Sequence, residues 1–391
     1  MANDGTAPMT PRSESQLRAL TGIKWTKHPD DVLPAWVADM DLSPPQFAID
    51  AVKDLADRGD FGYNRLAVEQ LPGLFQDWQE RHHGWRPELE EVRVFDDVLQ
   101  VIAQSIWMHT APGDGIVLLT PIYPPFIKAV EGAGRTVVDV PLDRDGWRLR
   151  HETLAAAIDD TTSAILLCSP HNPTGRVFDA EERRAIADVV VEHDLLLIAD
   201  EVWADLTHPG SVHTPMATVG DELAARTVTI SSASKAFNLA GLRCAVAHIG
   251  HRGLLADFDR LPPHFLGAVG SPGAEACLRS WTEGEPWLAA TRAFLTDRRD
   301  QLAKRVAEEL PDVPFQLPEA TYLAWLDFSP LALPDEPREW LYDNAKVALS
   351  PGPDFGRRGD GFVRINFATS AELLDELLDR IVGAVLARQT G

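Results

Sequence analysis

Cysteine is scarce in this chain of 391 residues, which contains only Cys168, Cys244 and Cys277. An odd, sparse count without a Cys-x-x-Cys spacing argues against a disulfide framework and against a cysteine-rich metal site. The 12 histidines show no metal-ligand spacing either. The sequence therefore predicts no metal centre.

Positive charge is also in short supply, because 36 basic residues stand against 59 acidic ones and the net charge is −23. Such a charge repels nucleic acid and anionic membranes, so neither is an expected partner. No apolar run approaches the length of a transmembrane helix. The first dozen residues also lack the basic-then-apolar pattern of a signal peptide. These absences predict a soluble, cytoplasmic protein.

Apolar runs and helical patterns alternate between about residues 92 and 250. The runs lack the polar alternation of half-exposed strands, which is typical of strands buried on both faces of a mainly parallel sheet. We therefore predict an α/β fold with a three-layer αβα large domain. The apolar runs lie at 92–95, 115–119, 136–140, 163–168, 195–199 and 226–230.

The C-terminal section has a different pattern. A long helical pattern covers about residues 284–310, and the segments 321–327 and 361–367 then alternate like strands of a half-covered sheet. These features predict a smaller α+β domain. The predicted boundaries are an N-terminal arm and small-domain segment at 1–45, a large domain at 46–285 and a small domain at 286–391.

Lys235 lies in a run of small and hydroxyl-bearing side chains directly after the apolar run 226–230. An amine in such surroundings is desolvated and loses its proton more easily, which makes this lysine a candidate for a Schiff base. On this motif alone an ordinary loop lysine is the alternative.

Three polar residues follow other apolar runs: Tyr123, Asn172 and Asp200. Open α/β sheets bind their ligands at the carboxyl ends of the strands, so we expect these side chains to meet near Lys235. A turn aromatic and a solvated acid pair are the alternatives for Tyr123 and Asp200. His171, in the turn before Asn172, is equally compatible with a structural and a catalytic role.

Several segments in order carry a family resemblance from about residue 20 to the end. The segments 169–175 (SPHNPTG), 200–202 (DEV) and 232–235 (SASK) resemble the fold-type-I pyridoxal-phosphate (PLP) enzymes of the aminotransferase class I/II superfamily. Further segments are similar to its cystathionine β-lyase (C–S lyase) branch, of the MalY/PatB type. They are 36–41 (WVADMD), 61–63 (FGY), 234–242 (SKAFNLAGL) and 320–327 (ATYLAWLD).

The resemblance implies that pyridoxal 5′-phosphate is the cofactor and that Lys235 holds it as a Schiff base. Lys235 would then move protons at the substrate Cα. Asp200 would pair with the pyridine nitrogen and keep it protonated, which makes the ring an electron sink. Asn172 would donate to the ring O3′, and Tyr123 would stack on the ring face.

The same resemblance implies a phosphate site. Ser232 and Arg243 would bind the cofactor phosphate, Arg243 through a charge-assisted hydrogen bond. Backbone N–H groups of Val98 and Leu99 at a helix start would complete the site. Tyr63 would reach the phosphate of the partner subunit, so we predict a homodimer with shared active sites.

For the substrate, an amino acid, the resemblance implies that Arg364 clamps the α-carboxylate with two hydrogen bonds. A surface arginine on a strand is the alternative. Trp36, Ala38 and Asp39 would line the entrance and contact the substrate together with Tyr63.

Two positions depart from the family pattern. Where the family often carries tyrosine or histidine three residues after the ring-nitrogen acid, this chain has Trp203, whose indole N–H can donate but not accept. We still expect Trp203 beside the cofactor. Where the phosphate-binding turn tends to read Gly-Val-Val, this chain has Asp97 before Val98 and Leu99. A carboxylate repels a phosphate unless it points away or is paired.

The branch implies α,β-elimination of L-cystathionine or an L-cysteine S-conjugate to thiol, pyruvate and ammonia. Transamination with a keto acid is one alternative. Decarboxylation-coupled oxidative deamination of a cysteine S-conjugate in secondary metabolism is another. A regulator that merely retains the cofactor site is disfavoured, because no DNA-binding segment is appended.

Overall fold

The computed structural model describes residues 9–390 except 64, 263, 264 and 266. Residues 1–8 of the predicted N-terminal arm thus lie outside the described residues. Among the helices of the described part, none has the length and apolar character that crossing a bilayer requires.

The described residues form strands that fall into three sheets. The strands are β1 Leu33–Pro34, β2 Val92–Phe95, β3 Gly115–Thr120, β4 Thr136–Pro141, β5 Thr162–Cys168, β6 Leu196–Asp200, β7 Thr227–Ser231, β8 Ala245–Ile249, β9 Leu323–Asp327, β10 Val347–Ala348, β11 Ser350–Pro351 and β12 Phe362–Asn366.

The helices alternate with these strands through the middle of the chain. They are α1 Glu14–Arg18, α2 Ile23–Thr26, α3 Gln46–Arg58, α4 Arg65–His83, α5 Val98–His109, α6 Pro124–Gly132, α7 His151–Ala155, α8 Ala180–Glu192, α9 Asp221–Ala224, α10 Ala233–Ala236, α11 Arg252–Arg260, α12 Ser271–Glu283, α13 Glu285–Glu309, α14 Pro337–Ala345 and α15 Ala371–Thr390.

The largest sheet has the strand order β2-β8-β7-β6-β5-β3-β4 within the described residues. The pairs from β7 through β6, β5 and β3 to β4 are parallel. The strand β8 runs antiparallel to both β2 and β7. The predicted mainly parallel sheet is confirmed, whereas β8 was not anticipated as a strand.

Alternate residues of the central strands face two separate apolar cores, one on each side of the sheet. On β3, Leu118 packs into the core that includes Ile102 of α5. Its neighbour Leu119 packs into the other core, with Ile186 of α8. Because both faces are covered, these strands need apolar residues at every position, which explains the unbroken apolar runs. The three-layer αβα arrangement is confirmed.

The remaining strands form two small sheets. An antiparallel sheet has the order β11-β12-β9, and β1 pairs in parallel with β10. The N-terminal segment therefore joins residues from near the C-terminus. The predicted domain boundaries at 45 and 285 are kept as a proposal, under which the large sheet falls wholly in the large domain.

Candidate active site

A cavity of about 140 Å³ lies at the carboxyl ends of β5, β6 and β7. Residues that are far apart in the sequence converge on it, because parallel strands end at the same edge of the sheet. Ten of the predicted cofactor and substrate residues line this cavity: Ala38, Val98, Leu99, Tyr123, Asn172, Asp200, Trp203, Ser232, Lys235 and Arg243.

Asp200 is the last residue of β6 and is only 5% exposed. Its Oδ1 accepts a hydrogen bond from the N–H of Val202 at 3.1 Å, and no cation pairs with it among the described residues. Burial raises the pKa of Asp200 to about 7, although the positive charge of Lys235 acts in the opposite direction. One oxygen of this buried carboxyl group has no partner in the described chain. A protonated ring nitrogen of a bound cofactor would be a suitable partner for it.

The Lys235 side chain enters the same cavity from α10. Its Nζ donates to the carbonyl oxygen of Ala38 at 3.2 Å and lies 5.5 Å from the ring centroid of Trp203. Burial lowers the pKa of Lys235, and the charge of Arg364 adds to this effect. No carboxylate of the described chain lies within ion-pair distance of Nζ. The amine is therefore closer to its neutral, nucleophilic form than a surface lysine is.

Arg364 lies on β12 and is 5% exposed. All its hydrogen-bond acceptors are neutral: Asn172 Oδ1 at 3.0 Å, the carbonyl of Trp36 at 2.7 Å and Ser350 Oγ at 3.1 Å. Its buried Nε has no partner among the described residues. Burial lowers the pKa of Arg364 to about 10. A buried guanidinium without a carboxylate partner is prepared to receive one from a ligand.

Asn172 connects the two ends of the site. Its Oδ1 accepts from Arg364, which leaves the amide NH₂ as the donor that a ring oxygen requires. The neighbouring His171 lies in the turn itself, and its Nδ1 is 2.8 Å from Thr174 Oγ1. Burial lowers the pKa of His171 to about 3, so this imidazole is neutral. We interpret His171 as a residue that shapes the turn.

The predicted phosphate end differs from the expectation. Asp97 caps the N-terminus of α5, and its Oδ1 accepts from the N–H of Leu99 at 2.7 Å. Its Oδ2 accepts from Arg243 Nη1 at 2.9 Å. Two of the donors predicted for phosphate are thus engaged by one carboxylate of the chain. The Asp97 side chain points towards the predicted phosphate donors and is paired, since a helix N-terminus and a guanidinium both attract an anion.

Ser232 also has a partner of its own. Its Oγ donates to the carbonyl of Cys244 at 2.6 Å and accepts from the N–H of Ser234 at 3.1 Å. The hydroxyl proton is therefore directed at the backbone in this geometry. Ser234 lines the cavity as well, and sequence reasoning did not single it out. The feature of the sequence that could have indicated Ser234 as a site residue is its place among the small hydroxyl residues around Lys235.

Trp203 forms a wall of the cavity. Its ring meets that of Tyr322 edge-to-face, with the centroids 4.9 Å apart. The hydroxyl of Tyr322 donates to the Ala38 carbonyl at 2.8 Å, which also accepts from Lys235. Tyr322 was missed as a site residue, although it lies within the segment 320–327 that carried the family resemblance. Both aromatic rings are buried and keep water from this side of Lys235.

The remaining predicted residues lie around the opening. Trp36 approaches Arg364 with its backbone carbonyl, and its side chain lines a second, adjoining cavity. Asp39 is half-buried, and its negative charge favours the protonated form of Lys235, which raises the pKa of the amine. Tyr63 is 99% exposed and lies outside both cavities of its own chain. Its predicted reach to a partner subunit stays a prediction.

These groups fit pyridoxal phosphate at the ring end of the cavity. The side chains that line this end include an amine, a buried unpaired acid, an amide NH₂ and an aromatic face. These are the groups that the cofactor ring requires. The phosphate end fits only in part, because Asp97 already engages Arg243 and the N–H of Leu99.

The chain matches the family model of aminotransferase class I and II over residues 37–381. It is 33% identical to cystathionine beta-lyase PatB of Bacillus subtilis, over 93% of this chain and 96% of that protein. Cystalysin of Treponema denticola, whose structure contains pyridoxal 5′-phosphate, superposes with a TM-score of 0.90 at 28% identity and covers 99% of this chain and 100% of that one. A PLP-bound C–S lyase of Staphylococcus hominis superposes with a TM-score of 0.88 at 26% identity, over 94% and 97% of the two chains.

The fold and the site define a PLP-dependent enzyme of fold type I. The chain belongs to the aminotransferase class I and II family, and its relatives in sequence and structure include named C–S lyases. The predicted family and its lyase branch are confirmed.

Proposed function

We propose that this protein is a PLP-dependent C–S β-lyase. It converts L-cystathionine or another L-cysteine S-conjugate and one water into a thiol, pyruvate and ammonia. The observation that carries this proposal is the likeness to cystathionine beta-lyase PatB over 93% of the chain, with Lys235, Asp200 and Arg364 gathered around one cavity system.

The cofactor, when bound, supplies an electron sink for the negative charge that develops at the substrate Cα. Arg364 would hold the α-carboxylate, so that the Cα–H bond faces Lys235. Lys235 Nζ, with its lowered pKa, would take the proton from Cα and pass it to the departing sulfur, which leaves as a thiol. Asp200 would keep a proton on the ring nitrogen. Trp203 and Tyr322 would exclude water while Nζ carries the proton.

We further propose that the enzyme is a cytoplasmic homodimer. The support for the dimer is Tyr63, which is 99% exposed in a single chain, and the nearby Phe61, which is 76% exposed. Exposed aromatic residues of this kind are typical of subunit interfaces. The support for the location is the sequence pattern alone. Size-exclusion chromatography with light scattering tests the dimer, and a monomer at working concentration would contradict it.

The reaction is tested by incubating the purified holoenzyme with an S-alkyl-L-cysteine. Pyruvate, free thiol and CO₂ are followed with and without an added keto acid. Pyruvate and thiol in equal amounts without a keto acid are the expected result. Turnover only in the presence of a keto acid would establish transamination instead. Release of CO₂ would indicate the oxidative deamination.

A further inference from the structure

A second cavity, of about 350 Å³, adjoins the first and shares Ala38, Tyr123 and Lys235 with it. We call it the outer pocket. Its inner end contains Lys235 and Arg364, the residues proposed for the substrate Cα and α-carboxylate. An amino acid held by these two groups would therefore direct its side chain into the outer pocket.

Part of the wall of the outer pocket is apolar. Its walls include Pro124, Leu349, Pro351 and Phe355. Such walls accept a thioether and its methylene groups, because burying them there removes apolar surface from water. This part fits any cysteine S-conjugate and does not discriminate between charged and neutral substituents.

The outer pocket also contains a group of basic residues, Lys27, His28 and Arg338. Lys27 Nζ lies 4.3 Å from the ring centroid of Trp36, and the Arg338 guanidinium carbon lies 5.3 Å from that of Tyr342. The imidazole of His28 is 5.4 Å from the same Tyr342 ring, between centroids. Aromatic rings thus hold the three basic side chains near one another.

Lys27 and Arg338 form no ion pair among the described residues, although the charge of Arg338 acts on the Glu336 carboxyl and lowers its pKa against the larger, raising effect of burial. Within the described residues no carboxylate lies within ion-pair distance of Lys27 or Arg338, and the buried Nε of Arg338 has no hydrogen-bond partner. Burial and the charges of Lys27 and Arg338 lower the pKa of His28, as expected where positive charges crowd together. The one acid that lines the outer pocket, among the residues described, is the exposed Asp354.

We propose that Lys27 and Arg338 form a subsite for an anionic group on the sulfur substituent. The preferred substrates would then be L-cysteine S-conjugates whose substituent carries a carboxylate beyond a short apolar linker. This inference rests on the proposed β-lyase function and narrows its substrate class. Positive charges around a pocket that have no carboxylate within ion-pair distance favour a ligand of the opposite charge, which relieves their mutual repulsion.

The test compares two conjugates of nearly equal shape, S-carboxyethyl-L-cysteine and the neutral S-carbamoylethyl-L-cysteine. For the holoenzyme, kcat/KM from pyruvate and thiol release should favour the carboxylate about tenfold, because a charge-assisted pair contributes this much at a partly exposed site. The preference should shrink in high salt, which screens exposed charges.

Variants locate the preference. Arg338→Gln and Lys27→Gln should each reduce it while leaving kcat/KM for the carbamoyl conjugate within about twofold. Asp354→Asn should increase it, because the opposing charge is removed. The matched control is Lys346→Gln at the end of α14, which deletes an exposed positive charge outside the residues lining the pocket. This control should leave the preference unchanged.

Equal kcat/KM for the two conjugates would overturn the subsite while leaving the β-lyase function intact. A preference that Lys346→Gln reduces as much as Arg338→Gln does would also overturn it, because overall charge would then be the cause. If neither conjugate releases thiol, the proposed function fails. Calorimetric binding of both conjugates to the holoenzyme then still tests the subsite, and equal dissociation constants would overturn it.

Discussion

Two arginines mark opposite ends of the candidate site, and they differ in their partners. Arg364 is 5% exposed and contacts only neutral acceptors. The Arg243 side chain is 60% exposed and pairs with the carboxylate of Asp97. A buried, unpaired guanidinium binds an incoming carboxylate strongly, whereas an exposed and already paired one contributes about 1 kcal/mol or less. The proposed substrate end therefore has an unpaired cation ready for an anion, whereas at the proposed phosphate end a carboxylate of the chain already pairs with the cation.

Lys235→Ala removes the amine that lies between the two ends, and it should have the largest effect. We expect kcat for thiol release to fall by roughly 10⁴-fold, since under the proposed function both covalent attachment of the cofactor and proton transfer would depend on this amine. The visible absorption band of the lysine-bound cofactor should disappear. A retained band would contradict the assignment. Lys346→Gln, which deletes a charge at an exposed position, serves as the control.

Arg364→Gln should lower kcat/KM by about 10³-fold, because it removes the buried partner proposed for the substrate carboxylate. Affinity for pyridoxal phosphate should change little, since Arg364 is assigned to the substrate. Steady-state kinetics and a cofactor titration separate the two effects. Arg58→Gln, at an exposed arginine, is the matched control. If cofactor affinity fell by the same factor as kcat/KM, the proposal that Arg364 binds the substrate and not the cofactor would be refuted.

Asp200 lines the same cavity as Arg243, and its protonation makes the stability of the protein depend on pH. Its pKa is raised from 3.8 to about 7 by burial, so the folded, cofactor-free protein favours the protonated acid. Because the folded state binds this proton more tightly than the unfolded state does, protonation of Asp200 stabilises the folded protein. This stabilisation is complete below about pH 4 and is lost as the pH rises towards 7. Because one titrating group changes stability by at most about 1.4 kcal/mol per pH unit, we expect the free energy of unfolding of this form to fall by about 2 kcal/mol between about pH 4 and pH 6.

Asp200→Asn carries no titrating group and should remove this part of the pH dependence. Urea unfolding of both cofactor-free proteins at several pH values measures the difference. The same variant should lose most activity in the holoenzyme, because an amide cannot hold a proton on the ring nitrogen by charge. Parallel stability profiles of the two proteins would show that Asp200 is not buried as described.

The smallest effect is expected at the phosphate end. Asp97→Asn keeps the helix cap, because asparagine caps as well as aspartate does, but removes the carboxylate charge. The dissociation constant for pyridoxal phosphate, measured by equilibrium dialysis, should fall about fivefold as Arg243 is released for the phosphate. Arg243→Gln should raise it by a similar factor. Weaker binding to the Asp97→Asn protein would show that this carboxylate does not compete with phosphate.

Much of the fold could be predicted from the sequence. The apolar runs located β2, β3, β4, β5, β6 and β7 within one or two residues, because strands buried on both faces need an unbroken apolar sequence. The prediction failed for β8, which follows the lysine segment 234–242 almost directly. The sequence of residues 154–158 also predicts a helix, but this prediction is partly wrong because α7 spans His151–Ala155. Helix ends depend on local capping that periodicity does not report.

Within the site, the sequence predicted side chains better than backbone contacts. Lys235, Asp200 and Asn172 followed from their positions at strand ends. By contrast, the carbonyls of Ala38 and Trp36, which accept from Lys235 and Arg364, left no sequence signal. Every residue carries a carbonyl, and only the path of the folded chain decides where it points.

The sequence by itself determined the family, the cofactor chemistry and the order of the principal side chains along the chain. These depend on residue types that no other residue replaces, such as an amine for a Schiff base. Tertiary structure alone decided which of the anion-binding groups are free. Packing leaves Arg364 without a carboxylate, whereas the N-cap geometry of α5 turns Asp97 towards Arg243. The charge that each arginine offers to a ligand therefore depends on neighbours that are distant in the sequence.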